Sequence, residues 1–241
     1  DAMESRGLGD VYKRQLNMLK DITPFIVMTA TFSSTMLQDL ADLLGAVVVP
    51  NPDKPDERLA MEKIGSQVGK DRRFFAQAEQ LTAKSVLAHD VNRTICICNT
   101  VRSAQDLYDD LKATLEQQGD TETELRLLHS RFYKSDRDEK ETWIRKNFDT
   151  PNSEYAGKRL IQIATQVIEV GVDATCDVLH TELSPASSLL QRAGRCARRQ
   201  NEMGKVCIYL PRDEDGEPYY APYGFGERGK QLCEATWTAV S

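Results

Sequence analysis

Arg192, Arg195, Arg198 and Arg199 stand in a run without a single acid, in a chain whose formal net charge is −6. On a continuous helix their i, i+3, i+6 and i+7 spacing would put them on one face. Guanidinium groups gathered there repel each other unless an anion lies opposite. A triphosphate supplies that anion, and an arginine donating to a departing γ-phosphate stabilises charge that grows in the transition state. A solvated basic helix face would show the same clustering. Upstream, the segment Thr165 to Asp173 follows an apolar run ending at Ala164. Its threonine hydroxyl and loop amides suit a phosphate, Gly171 allows close backbone approach, and the Asp173 carboxylate suits a ribose hydroxyl. Taken alone, this is a βα loop with a turn glycine.

The elements that must position these residues are read from periodicity. Thr94 to Cys98, Leu125 to Leu128, Leu160 to Ala164, Asp177 to Thr181 and Val206 to Leu210 read as strands. Between them, Ala104, Leu107, Tyr108, Leu111 and Leu115 line one helix face, ended by Gly119. A second helix begins at a Ser135 cap and carries Trp143, Ile144 and Phe148. A third spans Ala186 to Arg199. Alternation at these lengths requires parallel pairing with crossover connections. Residues 92–210 therefore predict an open α/β domain, with ligands at the carboxyl ends of its strands. Phe25 to Met28 and Ala46 to Val49 are expected to be strands flanking a helix of Met36, Leu37, Leu40, Leu43 and Leu44, capped by Ser33 or Ser34. Residues 50–91 read as a linker with a helix over 73–88. Residues 211–241 read as an exit loop and the start of a following segment.

Composition narrows the classes. The chain has 241 residues, 40% of them apolar, and its longest apolar runs are strand-sized, which excludes a membrane-spanning helix. The acidic balance excludes a protein that coats nucleic acid through bulk charge. Six cysteines without a C-x-x-C pair, and only three histidines, offer no zinc spacing and read as buried reduced thiols, as in a cytoplasmic protein. His89-Asp90 is expected to be a cap or surface pair, His180 a core histidine, and Trp143 with Phe148 core. Ser5 to Gln15 has no periodicity and resembles translated sequencing-adapter read-through. Residues 1–15 are accordingly expected to be a non-native leader or a flexible tail.

Thr165 to Asp173 followed by Gln191 to Arg198 resembles motifs V and VI of superfamily 2 helicases. Thr29-Ala30-Thr31 resembles their motif III, Cys98-Asn99-Thr100 their motif IV, and His129-Ser130-Arg131-Phe132 a further strand-contacting motif. Asn99-Thr100-Val101, the His129 motif, and Leu183-Ser184-Pro185 leading into Leu189 to Arg195 together resemble the CRISPR-associated helicase-nuclease of type I interference systems. The resemblance covers roughly residues 25–210.

The resemblance implies a RecA-like fold, an open, mainly parallel sheet with helices on both faces. Residues 16–49 would be the end of a first such domain and residues 92–210 most of a second. It implies that Arg195 and Arg198 act as arginine fingers on ATP, with Gln191, Arg192, Gly194 and Asp173 at the nucleotide. Thr165, Gly171, Asn99, Thr100, Ser130 and Arg131 would touch the backbone of single-stranded DNA. Thr29 and Thr31, within that end of the first domain, would hydrogen-bond across to the acidic ATPase motif of its missing upstream half, where the Mg2+ ligands would lie. No G-x-x-x-x-G-K-[ST] occurs in the chain, so this segment by itself is expected not to hydrolyse ATP. A CRISPR effector complex is the further implied partner, and a membrane is not. Another superfamily 2 RNA or DNA helicase, or a non-hydrolysing nucleic-acid-binding module, is the alternative reading.

Overall fold

A computed structural model of the chain describes residues 14–28, 34–51, 54–62, 71–89, 91–149, 158–169, 171–213, 215–224 and 226–241. The chain divides into two compact units, residues 1–68 and 69–241.

In the first unit, helix α1 (Ser34–Leu44) buries Leu40 and Ala41 and stops at Gly45, whose φ of +61° suits a residue without a Cβ. Helix α2 (Pro55–Glu62) starts on a proline, the ring's fixed φ being compatible with a first turn. The strands expected at 25–28 and 46–49 do not form. Both stretches lack strand pairing, and Ile26, Met28, Val47 and Val49 are exposed. A strand requires a neighbour for its N–H and C=O groups, and among the described residues this unit has none. Thr29 and Thr31 lie outside the described residues.

The second unit is built on a six-stranded, all-parallel sheet. Its strands are β1 (Asp71–Gln77), β2 (Arg93–Ile97), β3 (Glu124–Leu128), β4 (Leu160–Ala164), β5 (Val178–Glu182) and β6 (Met203–Tyr209), in the order β1-β6-β5-β2-β4-β3. Strands β4 and β5 are buried at every position, Gln162, His180, Thr181 and Glu182 included, as central strands of a parallel sheet covered on both faces are. Period-two alternation divides the core. Ile95 and Ile97 face one cluster, whereas Cys96 and Cys98 face the other with Ile161 and Ile163. Helices α3 (Ala83–Leu87) and α4 (Val101–Gln118) cover this second face. Helices α5 (Lys134–Ile144), α6 (Ala186–Ala193) and α7 (Glu227–Val240) cover the first. All six cysteines are free and buried.

Three local expectations are corrected. The helix expected over 73–88 forms only at Ala83–Leu87, because Asp71–Gln77 pairs in parallel with Met203–Tyr209 as an edge strand. Helix α5 begins at Lys134 behind Tyr133 with no side-chain cap, and the Ser135 hydroxyl bonds Asp136 instead. Helix α6 ends at Ala193, so the arginines at 195, 198 and 199 do not share a helix face with Arg192. There the chain tightens through Arg195 N–H to the Arg192 carbonyl (2.8 Å), and Cys196 then pairs with Cys176.

Candidate functional site

Two crossovers carry the motif residues. One leaves β4 at Thr165 and reaches β5; the other leaves β5 through α6 and reaches β6. They run side by side, joined where Cys176 pairs in parallel with Cys196 and where Arg195 contacts the first crossover. Asn99, Thr100, Ser130, Arg131 and Thr165 stand at the carboxyl edge of the sheet. Asp173 and Arg198 stand instead toward the opposite, amino edge, shortly before the starts of β5 and β6. The strand-end rule therefore gathers only part of the set.

Arg192 is entirely buried. Its Nε donates to Glu169 Oε1 at 2.8 Å. One terminal nitrogen donates to Asn99 Oδ1 (2.9 Å), Thr181 Oγ1 (2.9 Å) and the Glu182 carbonyl (3.0 Å), and the other to the Tyr223 hydroxyl (2.9 Å). An arginine so engaged is an internal tie, not a nucleotide contact, and its expected place at ATP is corrected here. Asn99 belongs to the same tie. Its N–H donates to Glu182 Oε2, its Nδ2 to the Leu183 carbonyl (2.7 Å), and its own carbonyl accepts from Gln166 (2.7 Å). Burial pushes the Glu182 carboxyl up, against the Asn99 hydrogen bond and the Arg192 charge.

Arg195 is nearly buried. Its terminal nitrogens donate to the backbone carbonyls of Val172 (2.6 Å) and Glu169, clipping the first crossover to the second. Its Nε is buried without a hydrogen-bond partner. Burial, and then the neighbouring Arg198 charge, lower its pKa from the usual arginine value. Arg198 is different. Its side chain is 43% exposed, and its Nε lies 2.7 Å from Asp173 Oδ1, which is also exposed. The Arg198 N–H donates to Thr175 Oγ1 (3.1 Å), and the Thr175 hydroxyl donates to Glu202 Oε2, which also accepts from the Arg199 N–H (2.9 Å). The segment holding Arg198 is thus pinned by its backbone while the side chain faces water.

The remaining expected residues divide in the same way. Gln191 is half-buried, and Gly194 closes α6, where a Cβ would come 3.1 Å from the Gln191 carbonyl. Thr165 is buried, its N–H donating to the Leu128 carbonyl (3.2 Å). Thr100 spends its hydroxyl on the α4 cap, accepting from Ser103 N–H at 3.1 Å. Gly171 is exposed with φ +80°, a conformation a side chain would strain. Ser130 and Arg131 are exposed. Sequence reasoning missed Glu169 and Tyr223 as Arg192 partners. Glu169 lay inside the motif without a visible role, and Tyr223 lies in a Tyr/Gly-rich segment with no local signal. Among the described residues, no group of three or more His, Cys, Asp or Glu side chains could hold a metal ion.

Residues 90–201 match the family model for the C-terminal part of the CRISPR-associated nuclease/helicase Cas3. This segment is Cas3-like. Over 144 residues the chain is 35% identical to the CRISPR-associated endonuclease/helicase Cas3 of Escherichia coli K12, an alignment covering 56% of this chain but only 15% of that protein. The structure of T. fusca Cas3 with AMPPNP superposes with a TM-score of 0.70 at 20% identity, covering 94% of this chain and 31% of that one. A chain of a CRISPR RNA-guided surveillance complex in a pre-nicking state gives 0.63 at 22% identity, over 95% of this chain and 32% of that one. At these identities the structural likeness is one of fold, and the Cas3-like unit has the RecA-like architecture. No helix among the described residues is long and apolar enough to cross a membrane.

Proposed function

We propose that the chain is the C-terminal helicase portion of an ATP-dependent DNA helicase and translocase acting in CRISPR antiviral defence. The observation that carries this reading is the exposed Arg198–Asp173 pair on a Cas3-like crossover. An exposed ion pair contributes about 1 kcal/mol or less, so a charged ligand can open it. Its two halves then suit the two ends of a nucleotide: the guanidinium a γ-phosphate, the carboxylate a ribose hydroxyl. Arg195 supports the same reading through its buried, unpartnered Nε, a donor held beside Arg198. Gln191 and Gly194 complete that side.

ATP, when bound, would supply the phosphoanhydride whose hydrolysis drives movement. Mg2+ would be held by the acidic motif of the first RecA-like domain, to which Thr29 and Thr31 of that same domain would hydrogen-bond. Exposed Ser130 and Arg131, with Thr165 and Gly171, would contact the sugar-phosphate backbone of single-stranded DNA. Such contacts carry no sequence information and suit translocation. The further partner is a CRISPR effector complex, in the cytoplasm.

In the full-length protein, Arg198→Ala is expected to lower DNA-stimulated ATP turnover by roughly 10³-fold or more, the range for an arginine finger. Strand binding measured by fluorescence anisotropy should stay unchanged. Turnover retained in this variant would overturn the finger assignment.

A further inference from the structure

A cavity of about 350 Å³ lies between β3 and α5 on the face that carries α5. Phe132 and Trp143 supply its rings. The Arg126 guanidinium stands 4.9 Å from the Trp143 ring centroid, and the Lys140 ammonium 4.5 Å from that of Phe132. His129 stacks on Phe132 at 4.2 Å and 13°. Asp136 and Glu139 form an exposed acidic rim. Gln162, the register partner of Arg126, is buried at the floor and donates to the Ile163 carbonyl (2.7 Å).

This set rejects several ligands. Two carboxylates at the rim oppose a phosphate, and two cations with a buried amide oppose an aliphatic side chain. A flat heterocycle satisfies every group present. It can stack on Phe132 in place of the Lys140 ammonium and lie against the planar guanidinium of Arg126. Its exocyclic amine can donate to Asp136 or Glu139, as cytosine N4 does to a carboxylate. Ser130 and Arg131 immediately precede Phe132, so a strand lying along them would have a base within reach of the cavity.

We propose that this cavity takes one nucleobase bearing an exocyclic amine, from the strand whose backbone passes Ser130 and Arg131. The inference rests on the strand-binding reading above. It adds a base preference to contacts otherwise blind to sequence.

The test uses this chain with oligonucleotides of about ten units: poly-dC, poly-dT and an abasic sugar-phosphate strand. Anisotropy reports strand binding and Trp143 fluorescence reports stacking, with Trp143→Phe identifying the signal against Trp237. The dC strand should quench Trp143 and bind more tightly than dT, whereas the abasic strand should bind without quenching. Phe132→Ala should weaken dC binding roughly 5- to 150-fold, the range for one stacked base, and leave abasic binding unchanged. If circular dichroism shows that variant unfolded, the double substitution Asp136→Ala with Glu139→Ala on the exposed rim, which removes both acceptors, should abolish the dC-over-dT preference. Equal binding of dC and abasic strands, unaltered by either variant, would overturn the pocket and leave the backbone reading standing. Failure of every strand to bind would overturn both.

Discussion

The Arg192 guanidinium gives its N–H groups to Glu169, Asn99, Thr181, the Glu182 carbonyl and Tyr223, with none of its surface in water. Removing it would strand a buried carboxylate and several buried acceptors. Breaking one partner out of a buried pair costs about 3–5 kcal/mol. Arg198 faces water against an exposed carboxylate, and its loss should cost about 1 kcal/mol or less. Arg192→Met and Arg198→Ala should therefore separate sharply in urea unfolding of the chain, and equal losses would refute the division of roles. The sequence displayed both arginines in one motif. Which of them is internal depended on where α6 stops and on Tyr223, which no local spacing connects to it.

At the scale of elements, the seam between the two crossovers depends on Gly204 in β6. A Cβ there would collide with Cys196 Sγ and come within 3.2 Å of the Ala197 Cβ and the Asp177 carbonyl. The Cys196 side chain is short and packed at the Cys176 pairing, so it has little room to yield. Gly204→Ala is expected to destabilise the unit by about 1–3 kcal/mol, as overpacking does. Cys196→Ala should recover part of that loss, giving a non-additive double-mutant cycle in thermal or urea unfolding. Additive losses would mean that the sulfur is not the obstacle. Elements of this sheet were legible where burial is two-sided: β2 and β4 read as largely apolar segments because both faces are covered. The same criterion misread Phe25 to Met28, since an apolar run becomes a strand only beside another strand. It also passed over β1, whose Asp71-Arg72-Arg73-Phe74-Phe75 follows edge pairing with β6 and shows no alternation.

For the whole molecule, the response of stability to acid sets two effects against each other. Titrating a chain of net charge −6 toward neutrality relieves self-repulsion and should favour the compact state. His180 opposes this. It is fully buried, its Nδ1 lies 2.9 Å from the Tyr209 hydroxyl, and the His89 ring meets it edge-on at 5.2 Å. Burial, followed by the charges of His89 and Arg159, pushes its pKa down to about 3. The unfolded chain would protonate this histidine near pH 6.5, while the folded chain would not until about 3. Its contribution is thus fully present above pH 6.5 and is lost as pH falls below that, by up to about 1.4 kcal/mol per unit. Glu182 works in the other direction, since its raised pKa lets the folded state take a proton first. Asp120 and Glu202, both lowered, withdraw stability only in the carboxylate range below this window. Urea midpoints measured between pH 7 and 5.5 in the chain and in His180→Asn isolate the histidine, because the carboxylates and His129 are common to both. The parent should lose stability more steeply on acidification than the variant. Parallel slopes would show that His180 takes up its proton without unfolding, and that relief of bulk charge governs the acid response.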